Sequence, residues 1–214
     1  MDSGHTAWML TASALVFFMT PGLALFYGGL VRAKNLVSTI MYSFTAIAVV
    51  SIVWVLWGYS LAFGEGNNWV GDFSYLGLRG IDIVPSADAD YPPLLDVVFQ
   101  MMFAIITPAL ITGAFVERFK FTTYLVFLVL WVTIVYAPIT HWVWGGGWIS
   151  DLGALDFAGG TVIHINAGIA AVVAALLVGK RRNPGAQSNN VPFVVLGAAI
   201  LWFGWFGFNA GSAL

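Results

Sequence analysis

The sequence predicts an all-α polytopic membrane protein, and three observations lead to that class. First, 60% of the 214 residues are hydrophobic and only 8% are charged, whereas roughly 25% of the residues in a typical soluble domain are charged. Second, six apolar runs are each long enough to cross a hydrocarbon core of about 30 Å. Third, the basic residues gather in alternate connections between these runs, as in membrane proteins of fixed orientation.

The first three predicted helices are Ala7–Leu30, Ser38–Phe63 and Leu94–Val116. The residues before the first helix include no lysine or arginine. We therefore expect no cleavable signal peptide and a first helix that stays in the mature protein. A short turn at residues 31–37 leads into the second helix, and a long loop at residues 64–93 leads into the third.

The last three predicted helices are Phe121–Val143, Gly160–Gly179 and Val191–Leu214. A tight turn at residues 117–120, a glycine-rich connection at residues 144–159 and a basic loop at residues 180–190 precede them in that order. The final run reaches Leu214 without the aromatic or charged flank that usually closes a span. We therefore expect residues 1–214 to form a single, truncated transmembrane domain.

Basic residues predict the orientation of the bundle. All but one of the eight lysines and arginines lie in alternate connections, the exception being Arg79. The seven are Arg32, Lys34, Arg118, Lys120, Lys180, Arg181 and Arg182. Because positive residues mark the cytoplasmic side, we expect the N-terminus outside. A cysteine introduced at Asp88 should then react from outside the cell, and one at Asn183 should not.

Composition also excludes several functional classes. The net charge is only −2 and the basic residues form no patch for nucleic acid. Without cysteine there is no disulfide framework or thiolate metal site. Asp96 and Glu117 lie at predicted helix ends and no helix carries a lysine, so neither a carboxylate relay nor a carboxylate-lined cation site is expected. A membrane enzyme would need converging nucleophilic, acidic or metal groups, and we predict no enzyme, metal or cofactor.

His164 lies deep inside the fifth predicted helix, on a stripe of small residues. Helical spacing places Gly160, Ala167, Ala171 and Ala175 on the same stripe. Small residues allow close approach of membrane helices, so we expect this face, and His164 with it, to point into protein. An ionisable residue at membrane depth marks a functional site by default. The alternative is a core histidine that bonds a backbone carbonyl.

Aromatic residues and one serine are predicted to meet near the outer surface. Trp144 and Ser212 fall near the outer ends of the fourth and sixth helices, and Phe208 lies about one turn below Ser212. Phe103 and His164 lie roughly 14 and 12 Å inward. Ring faces attract a compact cation by about 2 kcal/mol or more when desolvated, and no carboxylate is expected among them. Alternatively, Trp144 is an interfacial anchor and each phenylalanine is packing.

Three further residues receive local interpretations. Asp156 precedes the fifth helix and is typical of an N-cap. His141, near the outer end of the fourth helix, is expected at the membrane interface, and His5 in solvent.

Residues 21–25 and 210–214 share three identities and start five helices apart, which fits an inverted repeat but also fits chance.

Six motifs together give the chain a resemblance to a known family. Their order and spacing resemble those of the ammonium transporter family, in the Amt/Mep branch of the Amt/Mep/Rh superfamily. The residues that carry it are Thr20–Gly22, Phe26–Arg32, Gly113–Arg118, Trp144–Gly147, Asp156–Asn166 with Gly179–Arg181, and Gly204–Ser212. Trp144 favours the Amt/Mep branch, because Rh proteins generally lack this tryptophan.

The resemblance implies an architecture larger than this chain. Family members have eleven helices in two inverted five-helix repeats, form homotrimers in the plasma membrane and carry one pathway in each subunit. The present chain would supply the first repeat and the first helix of the second. The second pore histidine and the cytoplasmic tail that binds PII-type nitrogen regulatory proteins would lie outside it.

The resemblance also assigns roles to site residues. It implies an ammonium or methylammonium recruitment site at Phe103, Trp144 and Ser212, a stacked phenyl gate at Phe103 and Phe208, and the first of two pore histidines at His164. Asp156 would be structural and assist recruitment. The implied function is ammonium capture, loss of a proton and passage of ammonia, with membrane lipid around the trimer. An ammonium sensor on the same scaffold remains the alternative.

Overall fold

Six long apolar helices form the body of the protein. The computed structural model describes residues 2–84, 89–181 and 187–213. The helices are α1 (Ser3–Leu30), α2 (Ala33–Phe63), α3 (Pro93–Ala114), α4 (Phe121–Asp151), α5 (Gly160–Val178) and α6 (Val191–Gly211). All six predicted spans are confirmed, with ends that shift by a few residues. Among the predicted features, Asp88, Arg182, Asn183 and Leu214 lie outside the described residues.

Three of these helices contain a π-helical turn. The turns are Trp54–Gly58 in α2, Val132–Tyr136 in α4 and Gly160–Ile165 in α5. A π-turn inserts one extra residue and rotates the following residues relative to a regular helix. In α5 the buried residues are Val162, Ile163, Asn166 and Ala167.

The described residues cover only part of the small-residue stripe of α5. Gly160 and His164 are exposed in this chain, whereas Ala167 is buried and Ala171 is half-buried. Ala175, further along the stripe, is half-buried as well. The described residues therefore cover the later part of the stripe, and the direction of His164 into protein stays a prediction. The bulky residues of the other face are exposed as predicted, for example Ile169 at 63% and Leu176 at 77%.

Helices α1 and α6 pack against each other in opposite directions with their backbones close together. Glycine makes this possible. A Cβ atom at Gly207 would lie 2.6 Å from Leu15 Cβ, and one at Gly22 would lie 2.6 Å from Ile200 Cγ2. Neither position has room for a side chain, so the contact depends on backbone proximity, as in other membrane helix pairs.

Glu117 ties together three connections at one end of the bundle, which we call the basic end. Its carboxylate accepts hydrogen bonds from Asn35 Nδ2 at 2.6 Å and Arg32 Nε at 2.9 Å, and Arg181 Nη1 lies 2.7 Å from the other oxygen. Burial opposes ionisation, but the hydrogen bonds from Asn35 and Arg32 outweigh it and lower the pKa of the Glu117 carboxyl. These contacts therefore stabilise the fold at pH values above 4.5, the ordinary pKa of the group. The stabilisation is lost as the pH falls through the lowered pKa.

His141 anchors a loop at the opposite end, which we call the acidic end because Asp2, Asp72 and Asp151 lie there. The prediction of an interfacial histidine is wrong, since His141 is only 1% exposed. Its Nδ1 lies 3.0 Å from the Ala62 carbonyl oxygen and its Nε2 2.7 Å from that of Asn67. The ring thus fixes the end of α2 and the loop that follows it.

Candidate functional site

A cavity of about 210 Å³ opens at the acidic end, and we call it the aromatic pocket. It brings together four of the predicted site residues: Phe103, Trp144, Asp156 and Ser212. The other lining residues are Met9, Tyr91, Asp96, Phe99, Gln100, Phe157 and Gly211. Helices α1, α3, α4 and α6 and the segment before α5 therefore all contribute to its wall.

One face of α3 supplies the largest share of the pocket. Phe99 and Gln100 are three and four residues after Asp96 and four and three residues before Phe103, so all four residues lie on one side of the helix. The expectation that no carboxylate shares the aromatic site is wrong, because Asp96 and Asp156 both line it. Asp96, Phe99 and Gln100 were not among the predicted site residues, although their helical spacing from Phe103 already places them on the same face of the helix.

Trp144 is held in place by the segment that follows it. It is the last residue of a helical segment of α4, directly before Gly145. Its ring Nε1 donates a hydrogen bond to the Asp156 carbonyl oxygen at 2.8 Å. The indole ring meets Phe103 edge to face, with centroids 6.2 Å apart and planes at 82°. Because its donor is already used, the indole presents its ring to the pocket.

Asp156 caps the start of α5, as its position before the helix predicts. One carboxylate oxygen accepts from the backbone N–H groups of Gly159 and Gly160, both at 2.7 Å. The other accepts from Thr161 at 2.7 Å and Val162 at 2.9 Å. These four donors are the unsatisfied amides of a helix N-terminus. The carboxylate therefore orders the segment that carries His164 and positions the carbonyl that holds Trp144.

Phe103 and Phe208 close the floor of the pocket. Their ring centroids are 4.6 Å apart and their planes are inclined at 61°. The rings therefore touch edge to face, whereas a stacked pair would have parallel rings. Phe103 is 1% exposed and Phe208 2% exposed. Both rings are therefore almost fully covered by their neighbours.

Ser212 lies just beyond the end of α6 and lines the same pocket. Its Oγ donates a hydrogen bond to the Phe208 carbonyl oxygen at 2.8 Å. A serine hydroxyl has one donor and two acceptor lone pairs. With the donor in use, Ser212 offers acceptor lone pairs to a ligand.

His164 lies on the far side of Phe208 from the pocket. Its ring stacks on Phe208 with centroids 6.1 Å apart and an interplanar angle of 24°. Neither ring nitrogen bonds a backbone carbonyl within residues 2–84, 89–181 and 187–213, and the choice between a pore histidine and a core histidine stays a prediction. Trp144, Phe103, Phe208 and His164 thus form one continuous series of ring contacts.

Six long apolar helices with a pocket at one end of the bundle define a polytopic membrane protein. The sequence model of the Ammonium Transporter Family matches residues 7–214. The chain belongs to the ammonium transporter family.

Named relatives agree with this assignment. An ammonium transporter of Aquifex aeolicus is 58% identical over 100% of this chain and 51% of its own length. The crystal structure of Candida albicans Mep2 superposes with a TM-score of 0.90 at 41% identity, covering 99% of this chain and 49% of that one. A structure described as a sensor Amt protein gives a TM-score of 0.87 at 32% identity, covering 98% of this chain and 54% of that one. The chain spans about half the length of the curated relatives it matches.

Proposed function

We propose that the protein transports ammonium across the plasma membrane, with the N-terminus outside and the aromatic pocket facing the exterior. The observation that carries this proposal is the continuous series of ring contacts from Trp144 through Phe103 and Phe208 to His164. It connects a surface pocket to an imidazole inside the membrane. The seven basic residues in alternate connections support the orientation.

Capture takes place at Phe103, Trp144 and Ser212. The indole and phenyl faces attract the positive charge, while the Ser212 hydroxyl accepts one N–H of the ion. Trp144 is fixed by its hydrogen bond to Asp156, so the ring needs no rearrangement when the ion arrives. Asp156 assists by ordering this segment.

Passage inward requires loss of the charge. Moving an ammonium-sized ion into a low-dielectric interior costs of order 20 kcal/mol in the idealised limit, against about 2 kcal/mol for a desolvated cation–π contact. The ion therefore transfers its proton to water in the aromatic pocket, next to the Phe103 and Phe208 gate, and neutral ammonia passes when the rings part. The proton moves separately.

His164 receives the ammonia beyond the gate. A neutral imidazole has one nitrogen that donates and one that accepts, so it can exchange hydrogen bonds with ammonia without the tight hold of a carboxylate. This is the role that the family resemblance gives to the first of two pore histidines.

The same proposal covers the assembly. We infer that residues 1–214 are the first part of a transmembrane domain about twice as long, as the lengths of the relatives suggest. The first repeat would pair with an inverted second repeat, the subunits would form a homotrimer in lipid, and a PII-type regulator would bind the cytoplasmic tail of the full-length protein.

Uptake of labelled methylammonium by proteoliposomes that contain the full-length protein tests the function. We expect saturable uptake, and Trp144→Leu should raise the half-saturating concentration roughly tenfold or more because the strongest cation–π partner is lost. Trp69→Leu is the matched control, since Trp69 lies at the acidic end, is 61% exposed and does not line the pocket. Absence of uptake with specific binding would instead favour an ammonium sensor, and equal uptake by the Trp144 and control variants would refute recruitment by the rings.

A further inference from the structure

The aromatic pocket contains two polar groups that the proposed transport steps do not use. Asp96, in the first turn of α3, is partly buried and lines the pocket. Within the described ranges no residue donates a hydrogen bond to its carboxylate and no cation pairs with it. One turn further, the Oε1 atom of Gln100 is buried and has no partner there either.

Unpartnered acceptors in a partly dry pocket are costly. An unsatisfied buried polar group loses the hydrogen bonds that it makes with water, and a carboxylate loses more than a neutral amide. Two such acceptors side by side on one helix face are stabilised together by a ligand that brings positive charge and several N–H donors. An ammonium-type cation has both properties.

Asp156 provides the contrast that identifies Asp96 as the available charge. Both Asp156 oxygens already accept backbone N–H groups, four in total. That carboxylate is committed to the start of α5. The Asp96 carboxylate has no comparable set of donors, although it lines the same cavity.

Asp96 lies between the acidic end of the bundle and the Phe103 ring along α3. Asp96 precedes Phe103 by seven residues, which corresponds to about 10 Å along the helix. Because α3 begins at the acidic end, Asp96 lies closer to the surface than Phe103. A cation that enters the pocket passes the carboxylate before it reaches the Phe103 ring.

We propose that Asp96 and Gln100 form an outer subsite that binds an ammonium-type cation before it moves to Phe103 and Trp144. This inference rests on the proposed transport function. The carboxylate and the amide oxygen accept N–H groups of the ion, and the carboxylate charge raises the local cation concentration. One carboxylate and one amide are too few oxygen ligands for Ca²⁺, which takes six to eight, so the subsite fits a hydrogen-bonding cation better than a divalent metal.

Methylammonium uptake by the full-length protein in proteoliposomes tests the subsite. Asp96→Asn keeps the shape and removes the charge, and we expect the half-saturating concentration to rise roughly tenfold while the maximal rate stays within about twofold. Asp82→Asn is the matched control: it removes the same charge from the same end of the protein, but Asp82 is exposed and does not line the pocket. Asp96→Glu should restore part of the affinity.

The outcomes separate this inference from the transport function itself. Wild-type protein that takes up no methylammonium refutes transport, whereas normal wild-type uptake with the same half-saturating concentration in Asp96→Asn and Asp82→Asn refutes the subsite alone. If Asp96→Asn does not assemble, Gln100→Leu decides, because it removes the second acceptor without changing charge. A raised half-saturating concentration in that variant supports the subsite, and an unchanged one overturns it.

Discussion

At the scale of single residues, His164 is the group on which the proposed passage of ammonia depends. It is exposed in this chain and contacts Phe208 through one face of its ring. No hydrogen bond to a described residue holds either nitrogen, so both remain available to a passing molecule. Within the described residues, truncation of His164 to alanine therefore removes few contacts.

We expect His164→Ala to abolish selective methylammonium uptake by the full-length protein, either by blocking it or by opening a leak for potassium. Expression and oligomer formation should change little. Methylammonium uptake, potassium leak and oligomer yield would be measured on one preparation, with Ile165→Ala as control because Ile165 is in the same π-turn and is 60% exposed. Selective uptake at the wild-type rate by a well-assembled alanine variant would rule out the pore role.

Residues whose partners are close in sequence could be predicted, and residues with distant partners could not. Asp156 caps amides three to six residues further along the chain, so its role follows from local rules. His141 bonds residues 79 and 74 positions away, and nothing local distinguishes it from an interfacial histidine. Asp96 was predicted at a helix end, but only the packed helices place it in the aromatic pocket.

At the scale of helices, the sequence predicts that each helix exists and how long it is better than it predicts which face of the helix is buried. Each span follows from the length of an apolar run, which the membrane itself requires. The π-turns do not follow, because they depend on packing and on small differences in backbone hydrogen bonding. The turn at Gly160–Ile165 is an example, since the His164 N–H bonds the carbonyl of Gly159, five residues earlier.

The contact between α1 and α6 makes a prediction at this scale. Gly207→Val should lower the thermal stability of the protein, because its side chain would meet Leu15 and the backbone of Ala12; overpacking of this kind costs roughly 1–3 kcal/mol. Gly168→Val is the control, since a Cβ there has no neighbour within 4 Å and the change in helix propensity is the same. Thermal unfolding in detergent would compare them, and equal melting temperatures would show that the helices separate enough to admit the valine.

At the scale of the whole molecule, the distribution of charge divides the bundle into two ends with different chemistry. Arginines and lysines surround Glu117 at the basic end, where the connections after α1, α3 and α5 meet. The acidic end carries the aromatic pocket and the loop fixed by His141. An ion that enters from the acidic end meets acceptors and ring faces first, which suits a cation. The orientation of this charge pattern across the membrane therefore decides from which side ammonium is captured.

Single-cysteine labelling tests that orientation directly, because the sequence contains no cysteine. Leu155 is fully exposed at the acidic end, and Lys34 is exposed at the basic end. In intact cells that express the full-length protein, a membrane-impermeant thiol reagent should label Leu155→Cys, while Lys34→Cys should react only after permeabilisation. Both substitutions alter exposed side chains, so uptake of methylammonium by each variant serves as the control for folding. Labelling of Lys34→Cys but not of Leu155→Cys in intact cells would place the aromatic pocket in the cytoplasm, and capture from outside at Trp144 and Asp96 would then be excluded.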